Sequence, residues 1–159
     1  MNRVTLLLLL GLLPLLAPVF AADGEDRTVT VASEDAEMNA AIAKARELLP
    51  HFWKTFEAPK RGESKFCLKL RITDKNGAEH FWLSNIERKD GKIKGTIDND
   101  PTIVKSVKNG QRVEVPEADI SDWLYLREEK MVGCYTLRAM FKKMPPAEVE
   151  EYKKKLAEP

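Results

Sequence analysis

The chain has 159 residues with 26 Lys+Arg against 25 Asp+Glu, and the apolar block at its start holds Arg3 but no acid. Without that block the charges balance, which removes any global electrostatic case for nucleic acid or an anionic membrane surface. The remaining length supports one domain around one core, and 32% charged residues interspersed with aromatics argue against both a disordered tail and a bilayer-embedded chain.

Residues 1–21 read as a cleaved signal peptide. Arg3 precedes an uncharged run over 4–16, and small residues stand at the two positions a signal peptidase inspects, Val19 and Ala21, which predicts cleavage after Ala21. The uncharged span over 4–22 is also just long enough to cross a bilayer, and an uncleaved anchor would make the domain a membrane-tethered partner. Pro14 and Pro18 argue against the anchor, since proline interrupts a helix and helps leave the chain extended for cleavage. The expected location is therefore periplasmic or secreted, with no stable membrane insertion after cleavage.

Residues 22–32 form a polar, flexible lead-in, with a weak alternation over 28–31 that would also suit a short edge strand. Ser33 then looks like a helix cap. Glu34, Asp35 and Glu37 crowd the first turn, where the helix dipole favours acids, and Met38, Ile42, Ala45 and Leu49 recur at helical spacing. Pro50 disfavours helical geometry at Leu49, so His51, Phe52, Trp53 and Phe56 belong to a separate turn or an offset continuation whose aromatics anchor the core.

From Ser64 the period falls to two. Phe66, Leu68, Leu70 and Ile72 alternate with Cys67, Lys69 and Arg71, giving a strand with one apolar and one mostly polar face. Asn76-Gly77 marks a hairpin into a return strand over 79–86, and Asp90-Gly91 marks a second into 92–97. Asp98, Asn99, Asp100 and Pro101 break that strand. Asn109-Gly110 suggests a third hairpin, between 103–108 and 111–115, and a tight turn over 119–122 feeds a strand over 123–126. Residues 133–144 fit strand or helix equally. Pro145-Pro146 starts a final helix with acids early and lysines late, so the lysine run is a solvated helix end rather than a nucleic-acid patch.

This order is α+β: a bent antiparallel sheet of about five short strands, either open or closing into a partly open small barrel, packed with an N-terminal amphipathic helix and a C-terminal helix. The domain spans 33–144, and 145–159 is the charged C-terminal helix.

In an oxidising compartment the even pair Cys67 and Cys134 is expected to form a disulfide, which would contribute roughly 4 kcal/mol in the chain-entropy model. The alternative is two separate buried thiols. Only His51 and His80 are histidines and no helical His-x-x-x-His spacing exists, so no metal site is expected. No Gly-rich phosphate loop and no Gly-x-Ser-x-Gly elbow occurs, and no cofactor is implied. The densest cluster is Glu79-His80-Phe81-Trp82. In a strand His80, Trp82 and Ser84 share one face, which is either covered core or an aromatic platform beside a titratable group.

A resemblance rests on an ordered set of short motifs: Glu79-His80-x-Trp82, Gly95-x-Ile97-x-Asn99-x-Pro101, Asn109-Gly110, Ile120-Ser121-Asp122-Trp123 and Gly133-x-Tyr135-Thr136-x-Arg138. Together they resemble the bacterial YegJ-like domain of unknown function over 38–141. The family tends to show a second glycine where Cys134 stands here. The resemblance implies a domain without an established activity and, if its motif residues make one site, candidates His80, Trp82, Asn99, Asp122, Trp123 and Arg138. Asp122 could instead pair with Arg138 and hold the turn before Trp123, an architectural role.

The reading that follows is a non-catalytic exported binding module whose aromatic patch around Trp82 or Trp123 meets an envelope protein or a small ligand. Its rival is a small envelope hydrolase with His80 as general base and Asp122 or Glu79 as the orienting carboxylate.

Overall fold

The computed structural model describes residues 36–157; the leader, the lead-in and the Ser33 cap lie outside the described residues. The architecture is α+β. Six antiparallel strands form an open sheet in the order β4-β3-β2-β1-β5-β6. In chain order the elements are α1 (Ala36–Glu47), α2 (Leu49–Glu57), β1 (Glu63–Asp74), β2 (Gly77–Lys89), β3 (Lys92–Ile97), β4 (Arg112–Val115), β5 (Ile120–Arg127), β6 (Lys130–Gly133), α3 (Tyr135–Met140) and α4 (Pro146–Lys155). No helix among the described residues is long and apolar enough to cross a membrane.

Period-two alternation sorts the sheet into two faces. Leu68 and Leu70 of β1, Phe81 and Leu83 of β2, Ile93 and Ile97 of β3, and Trp123 and Tyr125 of β5 are buried on the inner face, where Ala45, Leu49, Phe52 and Trp53 of the two helices pack on them. Pro50 sits in the first turn of α2, where its missing N–H costs nothing, and it offsets α2 from α1. The Trp123 indole donates its Nε1–H to the Ala45 carbonyl at 2.8 Å, tying β5 to α1. Strand β4 curls back until Val113 and Val115 line one groove with Leu70 and Ile72 of β1, so the sheet is strongly bent yet open.

Two hairpins differ from their sequence signals. Asp74 pairs with Gly77, so Lys75 and Asn76 are the turn residues; the Asp74 carboxylate accepts from Asn76 N–H at 2.8 Å and fixes that choice. The strand expected over 103–108 does not form. Glu79 and Asp74, projecting from the first hairpin, accept hydrogen bonds from the backbone N–H groups of Thr102, Ile103, Val104, Lys105 and Ser106, which are thereby lost to any ladder. Val104 is fully buried beneath this loop. The strand beyond the expected five is β6, whose turn uses Glu128 and Glu129, both at positive φ, where no glycine or asparagine announces it. The ambiguous stretch 133–144 becomes α3 followed by a short 3-10 turn.

The outer face is only partly covered. Leu137, Phe141 and Leu156 of the C-terminal segment pack with Leu124, Cys134, Cys67 and Trp82 at the β5–β6 end. The expected Cys67–Cys134 disulfide is absent, and both are free thiols. Cys67 lies on β1 and Cys134 in the left-handed turn just beyond β6, and both belong to this outer apolar cluster. Burial pushes the Cys67 thiol up to about 11 and the Cys134 thiol up to about 12, so both stay protonated and inert.

Candidate functional site on the outer sheet face

The β1–β2 hairpin register sets the site. Lys69 pairs with Trp82 and Arg71 with His80, and all four side chains fall on the outer face. On the other side of β1, Lys69 pairs with Asp122 and Leu70 with Ile120, so Ser121 is an extra residue in β5. This bulge brings Ser121 Oγ to 2.9 Å from His80 Nδ1, and the hydroxyl donates to the Lys69 carbonyl at 3.3 Å.

Asp122 is fully buried, and its carboxylate accepts four hydrogen bonds. Trp123 N–H and Tyr135 N–H reach Oδ1 at 2.8 and 3.1 Å; Thr136 N–H and Oγ1–H reach Oδ2 at 2.8 and 2.6 Å. Burial pushes its pKa up, opposed by the Thr136 and Trp123 donors and by Lys69. The Lys69 ammonium donates to Thr136 Oγ1 at 3.1 Å and lies 5.5 Å from the Trp82 ring centre; burial lowers its pKa, with Asp122 opposing. Lys69, Thr136 and Asp122 thus form a short polar relay beneath the start of α3.

The expected Asp122–Arg138 pair does not form. Arg138 donates to the carbonyls of Gly133 at 3.2 Å and Ala157 at 2.6 Å and clamps the chain end to α3. Trp123 is a core residue at 1% exposure and offers no surface for a ligand. Asn99 is architectural too, since its Oδ1 accepts the Trp82 N–H at 2.9 Å and continues the β2–β3 pairing past the end of β3. The structure therefore brings His80 and Trp82 together on an open face and assigns Asp122, Trp123, Asn99 and Arg138 to holding it.

His80 is exposed, with its Nδ1 edge against Ser121. Burial of that edge, then the positive charges of Lys69 and Arg71, lower its pKa to about 4, so the ring is neutral at pH 7. Neither carboxylate named as its partner serves it. Asp122 is saturated, and Glu79 points to the opposite face and accepts from Thr102, Ile103 and Val104. Among the described residues no three His, Cys, Asp or Glu side chains group so as to hold a metal ion.

Lys69, Arg71, Ser121 and Thr136 belong to this face; Ser121 and Thr136 stood within the sequence motifs, but none of the four was named as a site candidate. The available signal was the alternation of Cys67, Lys69 and Arg71 along β1, read across the hairpin onto His80 and Trp82.

The family described as an uncharacterized protein conserved in bacteria (DUF2314) matches residues 35–157. The uncharacterized protein YegJ of Escherichia coli is 35% identical over 151 residues, spanning 95% of this chain and 97% of that protein. A putative ankyrin repeat protein of Neisseria meningitidis is 27% identical over 137 residues, 81% of this chain and 54% of that protein. A shorter similarity, 33% over 82 residues, covers 50% of this chain and 18% of the bifunctional protein GlmU of Sphingopyxis alaskensis. No solved structure matches the chain. With all the described residues inside the family match and the motifs around His80, Trp82 and Asp122 building one sheet face, the chain belongs to the bacterial YegJ-like family DUF2314.

Proposed function

We propose that the protein is an exported, non-catalytic binding module of the cell envelope that meets a protein partner through the outer face around Trp82. The observation that carries this reading is the half-buried Trp82 ring beside the Lys69 ammonium, with exposed Arg71 and the neutral His80 ring next along the same face, an aromatic anchor with basic neighbours outside the main core. Export rests on the leader over 1–21. The test is capture from an envelope extract with the chain lacking that leader as bait and a folded Trp82→Ala variant as its pair. A protein held by the first and not the second supports the reading. Equal capture by both contradicts it.

One observation favours an enzyme, namely the 2.9 Å contact between Ser121 Oγ and His80 Nδ1. A hydrolase would use His80 as base toward that hydroxyl. Against this, Ser121 is 2% exposed, and among the described residues no carboxylate bonds to the ring to orient it. Ester turnover that vanishes in a His80→Gln variant would favour the hydrolase; turnover unchanged by that variant would end it.

A further inference from the structure

Several basic side chains of this protein are neutralised where they stand. Arg88 pairs with Glu57 and Glu117, Arg112 with Glu87, Arg127 with Glu63, and Lys92 and Lys94 share Glu114. On the outer face of β1 and β2 the bases are not paired in this way. Arg71 is exposed, and among the described residues its guanidinium makes no hydrogen bond or ion pair. Directly opposite stands His80, whose one hydrogen bond uses Nδ1 and leaves Nε2 available. Two residues along β1, the Lys69 ammonium spends one N–H on Thr136 and leans over the Trp82 ring. The carboxylate bound into this cluster, Asp122, has its oxygens filled by four other donors. Cationic side chains adjacent on one sheet face repel each other, so the arrangement is relieved by an anion from outside.

From this charge complementarity, and resting on the binding reading above, we propose that the outer face of β1 and β2 docks a carboxylate-rich segment of a protein partner, with Arg71 forking onto a carboxylate and Trp82 packing the segment's apolar stem. Guanidinium geometry matches a carboxylate with two parallel hydrogen bonds, and the Lys69 ammonium supplies a second point of attachment. Arg and Trp are also the residue types that dominate binding energy at protein interfaces. A small anion needs a concave site; the groove that Arg71 helps line also carries the carboxylates of Glu114 and Asp119, and Lys69, His80 and Trp82 do not line it. Nucleic acid and anionic lipid call for a broader positive field than 26 bases against 25 acids provides.

The test is fluorescence anisotropy of a labelled hexaglutamate peptide against the purified protein, at low and high salt. Four proteins are compared: the natural one, Arg71→Gln, Trp82→Ala, and Lys130→Gln as a charge control on β6. The expected result is salt-sensitive binding that weakens about fivefold in Arg71→Gln, weakens in Trp82→Ala, and is unchanged in Lys130→Gln. No binding by the natural protein, or equal loss in Arg71→Gln and Lys130→Gln, overturns the proposal, as does preferential binding to vesicles of anionic lipid or to inorganic phosphate. Envelope capture that depends on Trp82 but survives Arg71→Gln removes the acidic-segment proposal and leaves the broader binding reading standing. Capture insensitive to both substitutions removes the two together.

Discussion

Gly133 lies flat against Trp123. A Cβ at position 133 would stand 2.3 Å from the Trp123 carbonyl oxygen and 2.6 Å from the indole ring, and its φ of +92° already disfavours any other residue. The contact decides how β6 closes onto β5 and how α3 leaves the sheet, because the Cys134 N–H donates to that same Trp123 carbonyl at 3.0 Å. Gly133→Ala is expected to cost about 3 kcal/mol of stability in urea unfolding, since backbone and not a flexible side chain must yield. Cys134, the next residue, also sits at positive φ, +55°, a conformation that glycine adopts at less cost.

Asp122 organises the junction between β5 and α3 by gathering the N–H groups of Trp123, Tyr135 and Thr136. An amide in its place would turn an NH2 toward N–H donors. Asp122→Asn is therefore expected to lose about 3 kcal/mol in chemical denaturation, while His80→Gln at pH 7 changes stability by less than about 1 kcal/mol. Near-natural stability in Asp122→Asn would remove the carboxylate from its structural role.

The lowered pKa of His80 makes stability depend on pH. The unfolded chain, with a histidine near 6.5, binds the proton more tightly than the folded one, near 4. Its stabilisation is therefore complete above pH 6.5 and declines as pH falls toward about 4. The exposed side of the ring lets water screen Lys69 and Arg71, so the loss is on the order of 1 kcal/mol. Glu79 and Asp74 have lowered pKa values and act in a lower window, losing their contribution as pH drops below the ordinary carboxylate values of 4.5 and 3.8. The urea midpoint should drop between pH 7 and pH 4.5 in the natural protein and drop less in His80→Gln. The same slope in both would contradict the assignment.

Glu79 pins a loop without regular structure. Its carboxylate accepts from the N–H groups of Thr102, Ile103 and Val104 and from the Thr102 hydroxyl, at 2.9 to 3.1 Å. Glu79→Gln keeps the shape and weakens the acceptors, so amide hydrogen exchange at 102–104 should accelerate about tenfold while the β1–β5 amides stay protected. Uniform acceleration across the sheet would mean that Glu79 supports the whole fold rather than this loop.

The elements were legible where local chemistry and tertiary need agree. The alternation of Phe66, Leu68, Leu70 and Ile72 became β1, and Asp90-Gly91 became the turn it advertises, with both residues at positive φ. The reading failed where a distant side chain outbid the local signal. Asn76-Gly77 as the two central turn residues would place Arg71 opposite Trp82; the Asp74 carboxylate moves the turn back one residue and places Lys69 there instead. No window of sequence contains the carboxylates that capture 102–106, and none shows the bulge at Ser121 that brings a hydroxyl to His80. The faces of His80 and Trp82 were readable from parity alone. Burial of Trp123 and saturation of Asp122 were not, because both depend on helices packed from the two ends of the chain.

The most direct test of the outer face as the binding surface is site-specific photo-crosslinking in living cells, with a benzophenone side chain at Ser84 of β2 compared with one at Lys89 beside the β2–β3 turn. Ser84 shares the outer face with His80 and Trp82, whereas Lys89 is exposed at the end of the same strand. The account predicts a discrete protein adduct from position 84 that disappears when Trp82→Ala is added, and none from position 89. Adducts from position 89 alone, or from both positions regardless of Trp82, would contradict it.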